Sequence, residues 1–221
     1  MSEEQTNTNT QAADLGAIFA FKVGMTSYLD EKGEMQAATL LRCDPLLVSQ
    51  IKTKETDGYT AVQVSFAPRR ASRTSEAQKG HLKSTGFENG AKFSREIRVE
   101  KIPDGLTVGT KLSVETFKIG DFVRLTSKSK GKGFEGVVKR FGHAGGPATH
   151  GSGFHRVPGS SGNRTWPARV MPGKKFPGHL GAENTTLPRI RVLDVIADEN
   201  VIIVRGPVPG AANTVVQLMK V

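Results

Sequence analysis

Cysteine is almost absent. Cys43 is the only thiol in 221 residues, so neither an internal disulfide nor a cysteine-built zinc site can form, and the chain suits a reducing cytoplasm. Taken alone, Cys43 reads as a small apolar residue buried on a strand. Aromatic residues are scarce too, at 6% with one Trp. No apolar run approaches the ~20 residues that a membrane-crossing helix requires. Nor is there a basic amphipathic helix to lie on a bilayer, so a membrane partner is not expected. The opening Met1–Ala13, MSEEQTNTNTQAA, lacks the basic and apolar regions of a secretory signal and reads as a disordered tail. The most informative deficit is local. Between Lys128 and Ala182 stands one carboxylate, Glu135, against ten Lys or Arg.

Those ten are Lys128, Lys130, Lys132, Lys139, Arg140, Arg156, Arg164, Arg169, Lys174 and Lys175. The rest of the chain is nearly neutral, with seventeen basic and sixteen acidic residues over 1–127 and four of each over 183–221. A formal charge of +9, out of +10 for the whole chain, confined to one quarter of the length points to a polyanionic partner, with nucleic acid first among the choices. The same stretch holds thirteen of the 25 glycines, and its apolar residues follow neither a helical nor a strand period beyond Phe134–Phe141. Ordering such a backbone costs roughly 1–2 kcal/mol per residue, with no apolar face to offset it. The segment is therefore expected to need an outside partner to order it. Trp166, with the Phe and His of the stretch, offers flat faces for unstacked bases, while Gly lets backbone approach phosphate.

Around this segment the sequence reads as β-structure. Strands are expected over Leu15–Val23 and on to Leu29, separated at Gly24-Met25-Thr26, then over Met35–Arg42 after a turn at Asp30-Glu31-Lys32-Gly33. Leu46–Ile51 and Ala61–Phe66 continue this as a meander turning at Asp57-Gly58. A small α+β insertion follows over about 68–100, with a short helix from Ser75 and a strand over Phe93–Val99. Leu112–Val114, Phe122–Leu125, Ile190–Ile196, Val201–Val204 and Val215–Met219 complete the strands. The fold class is thus mainly β with a small α+β insertion. A body of 14–127 and 183–221 holds out an extension of 128–182.

Several catalytic and metal motifs fail on inspection. Gly131–Val138 fits the kinase pattern G-x-G-x-x-G-x-V, but no following Asp-Phe-Gly or catalytic-loop Asp occurs. The Rossmann version lacks both the long helix and the acid. His143, His150, His155 and His179 have spacings that match no metal-binding pattern, and no Cys lies near them. No metal, cofactor or enzymatic activity is expected. His150 and His155 instead join the ten cations as candidate RNA contacts.

At this point the residues carry a resemblance. Lys22-Val23-Gly24-Met25-Thr26, Ser129-Lys130-Gly131-Lys132-Gly133-Phe134, Ala148-Thr149-His150-Gly151, His155-Arg156-Val157-Pro158-Gly159-Ser160, Pro172-Gly173-Lys174-Lys175 and Val208-Pro209-Gly210-Ala211 are similar to the bacterial large-subunit ribosomal protein L3 family, in the family's order. The resemblance implies a six-stranded, translation-protein-like β-barrel bound to 23S rRNA near its 3′ end. It further implies early binding that nucleates subunit assembly, a monomer lying beside proteins L13, L14 and L19, and an extension reaching toward the peptidyl transferase centre. Asn163, Arg164, Thr165 and Trp166 would stand near the tip. Some relatives carry a methylated glutamine there, whereas Gly162–Trp166 contains no Gln.

Overall fold

The computed structural model describes residues 15–30, 32–87, 89–103 and 105–221, so the expected tail and Glu31 of the first turn lie outside it. Along the chain run β1 (Ala17–Leu29), β2 (Met35–Arg42), β3 (Leu46–Lys52), α1 (Lys54–Asp57), β4 (Ala61–Pro68), α2 (Glu76–Leu82), β5 (Ala91–Arg98) and β6 (Lys111–Leu112). β7 (Phe122–Lys128) leads to β8 (Gly133–Glu135), α3 (Val137–Phe141) and β9 (Gly178–Leu180), and β10 (Asn184–Ile196), β11 (Val201–Arg205) and β12 (Val215–Lys220) follow. Two compact units result. One runs to Ser127 and resumes over Thr185–Val221, and the other is Lys128–Asn184.

In the first unit, six strands close into a barrel in the order β1-β12-β7-β10-β11-β2. Closure leaves no unpaired edge. Alternation sets the interior: Val123 and Leu125, Ile202 and Val204, Val216 and Leu218 are buried at every second position of β7, β11 and β12. A second sheet, β5-β4-β3-β6, belongs to the same unit. Its junction with the barrel explains why residues 17–21 of β1 are buried on both faces. Phe66 of β4 stacks on Phe19 of β1 at 5.5 Å and on Phe93 of β5 at 5.3 Å, and meets Phe21 edge-on at 5.7 Å. Four of the eleven phenylalanines thus meet where two sheets must be joined. On the opposite side of β4, α2 is capped by Ser75, whose hydroxyl accepts from the Gln78 N–H. His81 at its far end hydrogen-bonds Gln63 at 3.1 Å.

Several expected elements differ in detail. The gap expected at Gly24-Met25-Thr26 is a bulge within one continuous β1, between Lys22 and Gly24, because β2 pairs along the whole length. The meander does not continue past β2. β3 and β4 enter the second sheet, since β4 must present Phe66 to β1, and the α+β part therefore begins before residue 68. Asp57 ends the one-turn helix α1, with Gly58 in the left-handed region at φ 80° as its cap. The strand expected over Leu112–Val114 stops at Leu112, because the Ser113 hydroxyl caps a 3-10 turn over Val114–Thr116.

Two polar features of this unit have clear causes. Burial of Cys43, aided by Asp44, pushes the thiol up to about 12, so it stays protonated at neutral pH. Glu96 is held below the usual carboxylate range by hydrogen bonds from Lys52 and Tyr59, and Lys52 is raised by the same contacts. Truncating Phe66 to Ala should cost about 3–5 kcal/mol through lost burial and a cavity between the sheets, read as a lower denaturant midpoint. A loss below about 1 kcal/mol would show that the two sheets are not joined through this ring.

Candidate nucleic-acid interface

The second unit starts and ends as a two-stranded ribbon. β8 and β9 pair antiparallel, Gly133 with Leu180, Phe134 with His179 and Glu135 with Gly178. Below them the Lys132 N–H donates to the Leu180 carbonyl at 2.9 Å, and the Ser129 N–H to the Glu183 carbonyl at 2.9 Å. Gly181 permits this approach. Its φ is +75°, and a Cβ there would stand 2.1 Å from the Lys130 carbonyl oxygen. The segment expected to lack any order of its own therefore has an ordered base, reinforced by α3, where Glu135 pairs with Lys139 one turn on.

Beyond the base, regular structure ends. Residues 142–177 contain neither helix nor strand. A few turns hold them. The Gly146 N–H donates to the His155 carbonyl at 2.6 Å, and Gly146 and Gly159 lie against the Phe154 ring, where a Cβ on either would come within 2.5 and 3.3 Å of it. From Pro158 to Val170 the only hydrogen bonds among the described residues link the Ser160 hydroxyl with the Gly162 backbone. Val137, 1% exposed, is the one large apolar side chain buried in this unit, while Phe134 at 78% and Trp166 at 83% are open.

The candidate contact residues sit on this frame as follows. Lys128 ends β7, Lys130 and Lys132 lead into β8, and Lys139 and Arg140 lie on α3. His150, His155, Arg156, Arg164, Arg169, Lys174 and Lys175 are on the irregular part, with Asn163, Thr165 and Trp166 also exposed there. Arg140 is drawn inward, donating to the Phe176 carbonyl at 2.8 Å. Arg140 and Lys175 also approach the same Phe141 ring, at 4.9 and 5.6 Å. Lys139 pairs with Glu135, and among the described residues none of the other cations in this unit has a carboxylate partner. Phe134 and His179 are paired opposite each other on the ribbon and both are exposed, a juxtaposition that counting charges does not reveal. Among the described residues no group of His, Cys, Asp or Glu could hold a metal ion.

The glycines divide by role. Gly145, Gly146, Gly178 and Gly181 admit neighbouring atoms of the chain itself, whereas Gly133, Gly136, Gly142, Gly151, Gly153 and Gly173 have nothing within 4 Å of a built Cβ. The second group has no packing reason within the chain for its glycines. Two of the motifs that carry the family resemblance turn out to be joined within the body. The Lys22 ammonium donates to the Val208 carbonyl at 2.6 Å and to that of Gly210 at 3.2 Å.

A closed barrel bearing a cationic, largely irregular segment has the build of a structural nucleoprotein component rather than of an enzyme. Comparison with known proteins makes that class specific. The model of the family "Ribosomal protein L3" matches residues 19–200. The large ribosomal subunit protein uL3 of Bdellovibrio bacteriovorus is 57% identical over 220 residues, covering 100% of both chains. That of Geobacter metallireducens is 43% identical, covering 91% of this chain and 95% of its own length. That of Oceanobacillus iheyensis is 42% identical with the same coverage. The chain belongs to the ribosomal protein L3 family, whose members are structural constituents of the large ribosomal subunit and not enzymes.

Replacing Gly181 with Ala should force Lys130–Gly131 away from Gly181, at a local cost of about 1–3 kcal/mol for the strained backbone alone. Limited trypsin digestion reads this directly. Cleavage after Lys130 and Lys132 should be several-fold faster than in the wild type while the barrel stays intact, and unchanged cleavage would contradict the role given to this contact.

Proposed function

We propose that this chain binds 23S rRNA directly as an early component of the large subunit, near the 3′ end of that RNA, and that its binding nucleates assembly there. Residues 128–182 act as an extension that enters the RNA, with Asn163, Arg164, Thr165 and Trp166 at its tip toward the peptidyl transferase centre. The body of 14–127 and 183–221 stays at the point of entry as a monomer, beside proteins L13, L14 and L19. One observation carries this reading: the cations of the extension other than Arg140 are exposed, and among the described residues all but Lys139 lack a carboxylate partner.

The chemistry is that of counterion release. Each phosphate neutralised by Lys or Arg frees condensed cations, so affinity falls with salt by roughly 0.7–0.9 log units per log unit of salt for each contact. RNA read through its backbone and its shape, with unstacked bases resting on aromatic faces, suits a segment rich in Arg, Gly and exposed rings. Lys128, Lys130 and Lys132 at the base, and Arg156, Arg164, Arg169, Lys174 and Lys175 further out, supply the phosphate contacts. His150 and His155, both at positive φ, add polar faces. Membership of the family places the protein in the cytoplasmic ribosome.

Charge reversal at Arg156 and Lys174 tests the reading, because neither side chain has an ion-pair partner among the described residues to lose. The double variant should bind a 23S fragment more weakly, with a salt slope flatter by at least about 1.5. It should also stall subunit assembly while its barrel unfolds at the wild-type midpoint. Wild-type affinity and slope in the variant would overturn the proposal.

A further inference from the structure

Over 1–127 and 183–221 basic and acidic residues are nearly equal in number, twenty-one against twenty, and three pairs are joined: Arg42 with Asp44 at 3.0 Å, Lys52 with Glu96 at 2.8 Å, Lys79 with Glu76 at 2.7 Å. One turn departs from this. Between β4 and α2 the chain reads Pro68-Arg69-Arg70-Ala71-Ser72-Arg73, and all three arginines are exposed with no carboxylate partner among the described residues. Glu76, the next acid along, is already paired with Lys79. The one side-chain partner of Arg69 is neutral, the Gln78 amide oxygen at 3.4 Å.

The turn is also fixed in place. The Arg73 N–H donates to the Arg70 carbonyl at 3.0 Å, and the Arg69 N–H to the Gly90 carbonyl at 3.0 Å. The Thr74 hydroxyl lies 3.1 Å from the Arg70 carbonyl and 2.7 Å from that of Asn89. Gly90, at φ +81°, makes room for the Thr74 methyl, which a Cβ would meet at 2.5 Å. A cluster whose backbone is set beforehand loses less freedom on binding. Arg rather than Lys at all three positions favours planar, two-pronged contact with phosphate oxygens. Arg69 further lines a hollow of about 210 Å³ with Pro68, Gly86, Phe87, Asn89 and Gly90. The cluster therefore borders a concave surface with an aromatic residue in its wall, which suits a sugar–phosphate chain better than an acidic peptide.

We infer that the Arg69–Arg73 turn is a second RNA-binding surface, carried by the body and separate in sequence from the extension, which grips the backbone of its own segment of ribosomal RNA. This rests on the reading of the chain as an rRNA-binding protein. The two are separated by comparing full-length wild type, R69Q/R70Q/R73Q and R156E/K174E on 23S rRNA, by salt titration and by hydroxyl-radical footprinting. The triple Gln variant should unfold at the wild-type midpoint, show a salt slope flatter by about 2, and lose one discrete protected RNA segment. That segment should remain protected in R156E/K174E. The variant R69K/R70K/R73K, which keeps the charge, should keep the slope while binding less tightly. A wild-type slope and footprint in the triple Gln variant would overturn the inference with the function intact. No salt-dependent rRNA binding by the wild type would overturn both.

Discussion

Mutual repulsion governs the segment from Lys128 to Ala182. Two unit charges 4 Å apart cost about 1 kcal/mol even in water, and an unpaired charge taken into an apolar interior costs far more. With ten cations and one carboxylate, internal pairing is available to a single lysine. Arg140 turns in to the Phe176 carbonyl and the others face outward, and a segment most of whose long side chains face outward cannot enclose a core. The burial of Val137 alone among its large apolar residues follows from this. Under the proposed function, the energy that fixes 142–177 would come from neutralising those charges on a folded polyanion, the rRNA.

The barrel and the ribbon make that arrangement tolerable. The segment leaves from β7 and returns to β10, and both are barrel strands. Its two ends meet again at Ser129 and Glu183, so RNA binding does not have to close the loop. The close approach at Gly181 and the bonds from Lys22 to Val208 and Gly210 show that part of the family's signature maintains the fold. The outward cations and the open glycines are the part left for a partner. A family motif in such a protein can therefore mark a contact within the chain as readily as one with RNA.

Much of the fold was legible because strands announce themselves by composition and alternation. Val215–Lys220 and Val201–Arg205 fall where β-branched runs place them. What the sequence hid was partnership. Nothing local in Leu46–Ile51 or Ala61–Phe66 tells whether they extend the first hairpin or enter another sheet, since that is decided by Phe66 meeting Phe19 and Phe21. The bulge at Lys22–Gly24 was concealed in the same way, because pairing along β2 holds together what the glycine suggested was broken. At the candidate interface, charge counting located the basic segment but gave every glycine one reason. The structure gives two, since Gly181 and Gly146 serve close contacts within the chain that have no signal in composition. Phe134 facing His179, and the ring of Phe141 between two cations, likewise depend on register and tertiary approach.

The central claim is that the irregular part of the cationic segment is fixed by the RNA and not by the protein. Amide hydrogen exchange on the free chain and on the chain bound to 23S rRNA measures this directly. The account predicts slow exchange in the barrel strands in both states. Residues 142–177 should exchange rapidly when free and become strongly protected on the RNA. Equal and strong protection of 142–177 without RNA would contradict it.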